Sequence, residues 1–139
     1  MPTHDPRDPD LATFWRERHL CTLTTLRADG TPHVVPVGVT YDPDTLTARV
    51  ITGGGSAKVR HVERLDGAAT VAVCQVDGGR WSTIEGRARI ARDPDEVAEA
   101  VRRYAERYRQ PRENPERVAI VIDVTRVLGS ARLTPLPPT

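Results

Sequence analysis

The stretch ITGGGSAKVRHV, residues 51–62, holds Lys58, the one lysine among 20 Lys and Arg residues. Three glycines precede it, and Ser56 and Arg60 stand on either side. Glycine lets the backbone take positive φ and come close to a ligand. Free N–H groups at the start of a following helix, together with the helix dipole, attract an anion. Ser56 adds a hydroxyl, Lys58 a mobile point charge and Arg60 a planar fork of donors. The combination reads as a phosphate cradle, although no Gly-Lys-Ser/Thr of a Walker loop is present. It also reads as a glycine-rich turn before an ordinary capped helix, and spacing alone does not separate the two.

Other residues could meet a ligand. Arg80 and Trp81 fall at the hairpin tip DGGRW, where a tryptophan serves a core, a dimer interface or a ligand platform. Tyr108, Arg109 and Arg112 gather at a helix end and the loop after it. They suit an anionic ligand, or equally a solvated helix terminus favoured by the dipole. The histidines at 4, 19, 33 and 61 have no metal-ligand spacing, so no metal is expected. Cys21 and Cys74 form no metal or redox motif and read as free thiols in a reducing cytoplasm. Nothing in the order of Ser, His, Asp and Cys points to hydrolysis.

Elements must position these residues. Asp8 caps a helix with Pro9 at its first position, and Leu11, Phe14 and Trp15 make its apolar face. LCTLTTL (20–26) reads as a strand, Asp29-Gly30 as a turn, and HVVPVGVTY (33–41) as a second strand interrupted by Pro36 and Gly38. Those two residues mark an edge, a bulge or the close approach of a ligand. LTARVIT is a third strand, SAKVRHVERLDG a short helix, AATVAVCQV and WSTIEGRARIA a fourth and fifth strand. Asp93-Pro94 starts a helix with Val97, Ala100, Val101, Tyr104 and Tyr108 on one face, and RVAIVIDVTRVLGS is a sixth strand. The fold class expected is mainly β, an α+β arrangement of six antiparallel strands in a small barrel with flanking helices.

The 139 residues suit a single domain, 1–139, with 1–8 and 134–139 as flexible tails. A net charge of +1 gives no basic surface for nucleic acid. There is no membrane-length apolar run and no signal-peptide core.

Across about Leu11 to Leu133, the order of elements resembles the pyridoxamine 5′-phosphate oxidase-like split-barrel superfamily. The segments TLTTLRADGTPHVVPVGVTYD, VITGGGSAKV, QVDGGRW, EGRARI, RYAERYRQPRENPERV and RVLGSA are similar to the actinobacterial F420-dependent biliverdin reductases. The resemblance implies a homodimer of split β-barrels with two cofactor sites at the interface. It implies that Ser56, Ala57, Lys58 and Arg60 hold the phosphate of coenzyme F420, a deazaflavin. Many relatives carry a further basic residue where this chain has Ser56. Val35, Pro36, Val37 and Gly38 would lie along the ring, with Ile51 and Thr52 beside it and Trp81 reaching a cofactor of the partner. Strand packing is the plain alternative for each. Arg80, Tyr108, Arg109 and Arg112 would bind a substrate carrying carboxylates.

Under that resemblance the reaction is hydride transfer from reduced deazaflavin to a conjugated acceptor, most simply the methine bridge of a linear tetrapyrrole such as biliverdin. No residue is an evident general acid, so the proton comes from solvent or an arginine-bound water and the catalytic residue is unknown. The alternatives are an FMN-dependent oxidoreductase or oxidase on the same fold, and a non-catalytic flavin- or tetrapyrrole-binding protein.

Overall fold

The chain forms, in order, β1 (Thr3–His4), α1 (Pro9–Phe14), β2 (Cys21–Leu26), β3 (Pro32–Val37), β4 (Thr40–Asp42), β5 (Thr47–Gly53), α2 (Ala57–Glu63), β6 (Ala69–Asp77), β7 (Arg80–Ala91), α3 (Pro94–Arg107) and β8 (Arg117–Gly129). The structure, a computed structural model, describes residues 3–137. Residues 1, 2, 138 and 139, the outermost parts of the two expected tails, lie outside the described residues. No helix among the described residues is long and apolar enough to cross a membrane.

Pairing is antiparallel throughout, in the order β3-β2-β6-β7-β8-β5-β4, with β1 added alongside β8. The expected second strand is bent into two, β3 and β4, at Gly38 and Val39. β3 pairs with β2 and β4 pairs with β5, so the two ends of the sheet are consecutive in the chain. That connection rolls the sheet into a barrel with a split beside β3. The expected six strands thus become eight. The extra N-terminal one corrects the reading of 1–8 as a free tail: Thr3 and His4 pair with Leu128 and Val127, and the His4 ring bonds the Ser130 carbonyl at 2.9 Å.

Period-two alternation drives the core. Leu23, Val37, Val50, Val73, Ile84, Ile120 and Ile122 point inward and are buried, with Val39 at the bend. Each such side chain contributes about 1.5–3 kcal/mol by leaving water. At the register shift beside Glu85, an added side chain at Gly86 would collide with the Asp123 carbonyl, so β7 can bend there only with glycine. The helix caps match the sequence: the carboxylate of Asp8 accepts from the Asp10 amide at 3.1 Å and that of Asp93 from the Glu96 amide at 3.2 Å. Leu11, Phe14 and Trp15 close one side of the barrel interior, and Trp15 donates its indole N–H to Ser82 at 3.0 Å.

The bend at Gly38–Val39 is held by the C-terminal end of α3. Arg107 is 9% exposed and donates to the carbonyls of Glu17 (2.7 Å) and Val39 (2.5 Å) and to the Gln75 amide oxygen. Its guanidinium stacks near Trp15 and Tyr108, 5.7 and 5.1 Å from the ring centres. Tyr108 donates to the His19 carbonyl at 2.7 Å and accepts from the Val39 amide at 3.2 Å. Burial pushes the Tyr108 phenol up to about 12 from 10.0.

A Tyr108→Phe variant is therefore expected to lose about 1–2 kcal/mol of stability at neutral pH. The folded state favours the neutral phenol, so the unfolded chain ionises first as pH rises past 10.0, and Tyr108's contribution disappears by about 12. Denaturant unfolding of both proteins across that range should show the gap between them closing.

Candidate functional site

The split has two rims. One is β3, whose backbone pairs only with β2. The other is the lower half of β5: Thr47, Ala48 and Arg49 pair with β4, while Val50 to Gly53 run past its end. At the foot of the split, β5 turns through Gly54 and Gly55 into α2. Of the three stretches singled out in the sequence, Val35–Gly38 thus runs along the end strand of the sheet and into the bend, Ile51–Thr52 lies on β5 beyond the end of β4, and Ser56–Arg60 follows the turn that leaves β5.

The glycines there work differently from expectation. None of Gly53, Gly54 and Gly55 has positive φ; among the described glycines that conformation belongs to Gly30, Gly67 and Gly78. Gly53 is still in the ladder opposite Arg117, and the Gly54 amide donates to the Glu116 carbonyl at 2.8 Å. A Cβ on Gly54 would sit 2.9 Å from that carbonyl oxygen, so glycine here allows close packing of two chain segments. Gly55 has nothing within 4 Å of its Cβ direction and faces open space.

Ser56 is the N-cap of α2, but its hydroxyl meets that of Thr52 at 3.3 Å rather than the helix amides. Arg60 donates to the Gly55 carbonyl at 2.8 Å and so braces the turn. Lys58 is half-buried and, among the described residues, has neither a hydrogen bond nor an ion pair. Burial alone pushes its ammonium below the usual lysine value. A desolvated cation without a counter-ion is an unfavourable arrangement that an entering anion relieves.

The reading of Gly38 as space over a ring is corrected. A Cβ there would lie 2.7 Å from the Tyr104 ring and 3.0 Å from the Tyr108 ring, so glycine makes room for α3. Pro36 is exposed on the open edge of β3, where its missing N–H costs no ladder bond. Val35 and Val37 turn inward to the core. Trp81 is half-buried near the start of β7, opposite the exposed Val76, with its amide bonded to Ser130.

Arg80 is not available to a substrate. It donates to both carboxylate oxygens of Glu17, at 2.9 and 3.0 Å, to Asp77 and to the Leu133 carbonyl, and lies 5.1 Å above the Phe14 ring. Its hydrogen bond holds the Glu17 carboxyl below the usual range. Tyr108 spends its hydroxyl on the bend described above. Arg109 is exposed and unpaired among the described residues, whereas Arg112 stands in the following loop, its carbonyl bonded by Arg117 at 2.6 Å. Tyr104, read as core, is only half-buried and packs against Tyr108 with ring centres 5.0 Å apart.

Arg107 was missed, although a signal existed. It falls seven residues after Ala100 and three after Tyr104, on the apolar stripe of α3, where a cation must find internal partners.

A sheet rolled up on one shared, bent strand and left open beside it defines a split β-barrel protein. The chain belongs to the pyridoxamine 5′-phosphate oxidase family, whose pattern matches residues 8–131. It is 56% identical over 124 residues to an F420H(2)-dependent biliverdin reductase of Mycobacterium tuberculosis, covering 89% of this chain and 88% of that one. Among solved structures, a conserved hypothetical protein of M. tuberculosis superposes with TM-score 0.76 at 22% identity, covering 100% of this chain and 96% of the other. An F420 reductase superposes with TM-score 0.66 at 24% identity, covering 84% and 94%. These two likenesses are of fold.

Arg80→Ala should lower stability by about 1–2 kcal/mol, because it strands Glu17 and Asp77 without their cation. The same variant should leave small-molecule affinity at the split unchanged. A weakened ligand with an unaltered unfolding midpoint would return Arg80 to the binding site.

Proposed function

We propose that the protein is an F420H2-dependent reductase acting on a conjugated acceptor of the linear tetrapyrrole class, with biliverdin as the first candidate. The observation that carries this reading is Lys58, a half-buried ammonium without an anion at the foot of the split. The name of the 56% identical relative supports both cofactor and substrate class.

Reduced F420 supplies a hydride from its deazaflavin ring. Lys58, with the Ser56 hydroxyl, the Ala57 backbone and Arg60 nearby, would hold the cofactor phosphate. The open edge of β3 at Val35–Gly38 would offer backbone donors and acceptors to the ring, with Pro36 giving a flat apolar surface and Ile51 and Thr52 bordering it from β5. The barrel wall on one side and a second copy of the chain on the other would exclude water. The acceptor would gain hydride at its central methine carbon and a proton from solvent at a pyrrole nitrogen.

The outer face of β3-β2-β6 favours a homodimer as the working form. Pro32, Val34 and Pro36 stand opposite Leu26, Thr24 and Thr22, and Thr24 and Thr22 stand opposite Ala72 and Cys74, with Val76 two residues further along β6; none of these side chains is charged. Leu26, Val34 and Val76 are 42%, 56% and 62% exposed there. Such a patch is costly to leave in water. The thiols of Cys21 and Cys74 are free, which fits a reducing cytoplasm.

The deciding experiment is titration of the purified protein with F420 and with FMN, followed by an assay for F420H2 oxidation by biliverdin. F420 capture with turnover is expected. Tight FMN retention with no F420 affinity would reject the reading. Lys58→Ala should remain folded and lose about 1.5–3 kcal/mol of cofactor affinity. Wild-type affinity should fall as pH climbs through the lowered Lys58 value, and this dependence should vanish in the variant. Sedimentation should give twice the chain mass of 15.4 kDa.

A further inference from the structure

Beside the bend lies a groove of about 470 Å³, lined by Arg18, His19, Leu20, Tyr104, Tyr108 and Arg109. That volume is in the range of small-molecule sites, about 300–1,000 Å³. Its walls come from two distant segments. Arg18, His19 and Leu20 form the approach to β2, Tyr104 lies in the last turn of α3, Tyr108 caps that helix and Arg109 follows it.

The lining has three properties that together specify a ligand. The floor is aromatic, two tyrosine rings tilted by 35° with centres 5.0 Å apart. Leu20 adds an apolar side chain that is 73% exposed, unusual for a leucine without a partner. Each wall carries one arginine, and among the described residues neither Arg18 nor Arg109 has a hydrogen bond or an ion pair. The nearby acids do not neutralise them: Glu17 and Asp77 are taken by Arg80, and His19 lies 3.3 Å from Glu17 and 3.8 Å from Asp77. A guanidinium holds a carboxylate through two parallel bonds, and an aromatic floor favours a flat conjugated body.

Position adds a fourth argument. The two tyrosine rings press on Gly38, and Cys21, next after Leu20, pairs with Val37. The groove therefore ends at the upper end of the rim proposed above to carry the cofactor ring.

We propose that this groove is the acceptor site, taking a flat conjugated dicarboxylate whose acid groups pair with Arg18 and Arg109 over the face of Tyr104. This assignment rests on the reductase reading for the identity of the acceptor. It places substrate recognition on Arg18, Arg109 and Tyr104 and takes it away from Arg80.

The test uses the full chain and two separate binding measurements: biliverdin without cofactor, followed by its absorbance, and F420 without acceptor, followed by its fluorescence. Arg18→Ala and Arg109→Ala should each weaken biliverdin about tenfold. The double variant should lose the preference of the wild type for biliverdin over its dimethyl ester, and F420 affinity should not move. Arg109→Lys should recover part of the loss, and Arg102→Ala, on the outer face of α3, should match the wild type. All three arginines are exposed, so melting temperatures should stay close to the wild type. Wild-type biliverdin affinity in the double variant would overturn the groove assignment, as would an equal loss of F420 affinity. If F420 fails to bind the wild type while the variants still lose biliverdin, the groove stands and the reductase reading falls. If F420 binds and the variants change nothing, the reverse holds.

Discussion

Gly38 and Val39 join two strands at opposite ends of one hydrogen-bonded sheet, and the join holds only if something fixes the bend. That role falls to a guanidinium with no carboxylate partner. Arg107 collects carbonyl oxygens from the α1–β2 connection and from the bend itself, plus the Gln75 amide inside the barrel. Gln75 in turn donates to the Phe14 carbonyl at 2.8 Å, tying the same network to α1. Buried charge without its partners is strongly disfavoured, so every piece of this network depends on the others.

Arg89, Arg92, Arg102 and Arg126 pair with carboxylates on the surface, where such pairs contribute little to stability, and Arg103 reaches the buried Asp42. Lys58, Arg18 and Arg109 have no such partner among the described residues. The first lies at the foot of the split and the other two beside the bend. Arg7, Arg49, Arg87 and Arg112 also lack a carboxylate partner among those residues, so it is the placing of Lys58, Arg18 and Arg109, and not their being unpaired, that sets them apart.

Local features were legible in the sequence because their causes are local. Asp8-Pro9 and Asp93-Pro94 specified helix starts, Asp29-Gly30 specified a turn whose glycine has φ of 85°, and alternation located the strands. The split barrel and the position of Lys58 came from family resemblance, and the structure agrees with that architecture. What could not be read was the choice of partner across long separations. Arg80 looked free because Glu17 lies 63 residues away, and Arg107 drew no notice because the carbonyl it binds lies 90 residues away. Gly38 and the glycines before Lys58 were read as leaving room for a ligand, yet at Gly38 and Gly54 what fills the space is protein, two tyrosine rings and a carbonyl. Composition cannot distinguish a neighbour in the fold from a ligand.

β8 has a consequence for how this protein can be made. It is the last strand among the described residues, and its 13 residues bridge β7 on one side and β5 on the other. Until it is present, β3-β2-β6-β7 and β5-β4 are two part-sheets joined only through the bend and connecting loops. Without β8, β5 and β7 each keep an unpaired edge and the barrel cannot close. Those two edges are where the unfinished chain most needs protection from other strands.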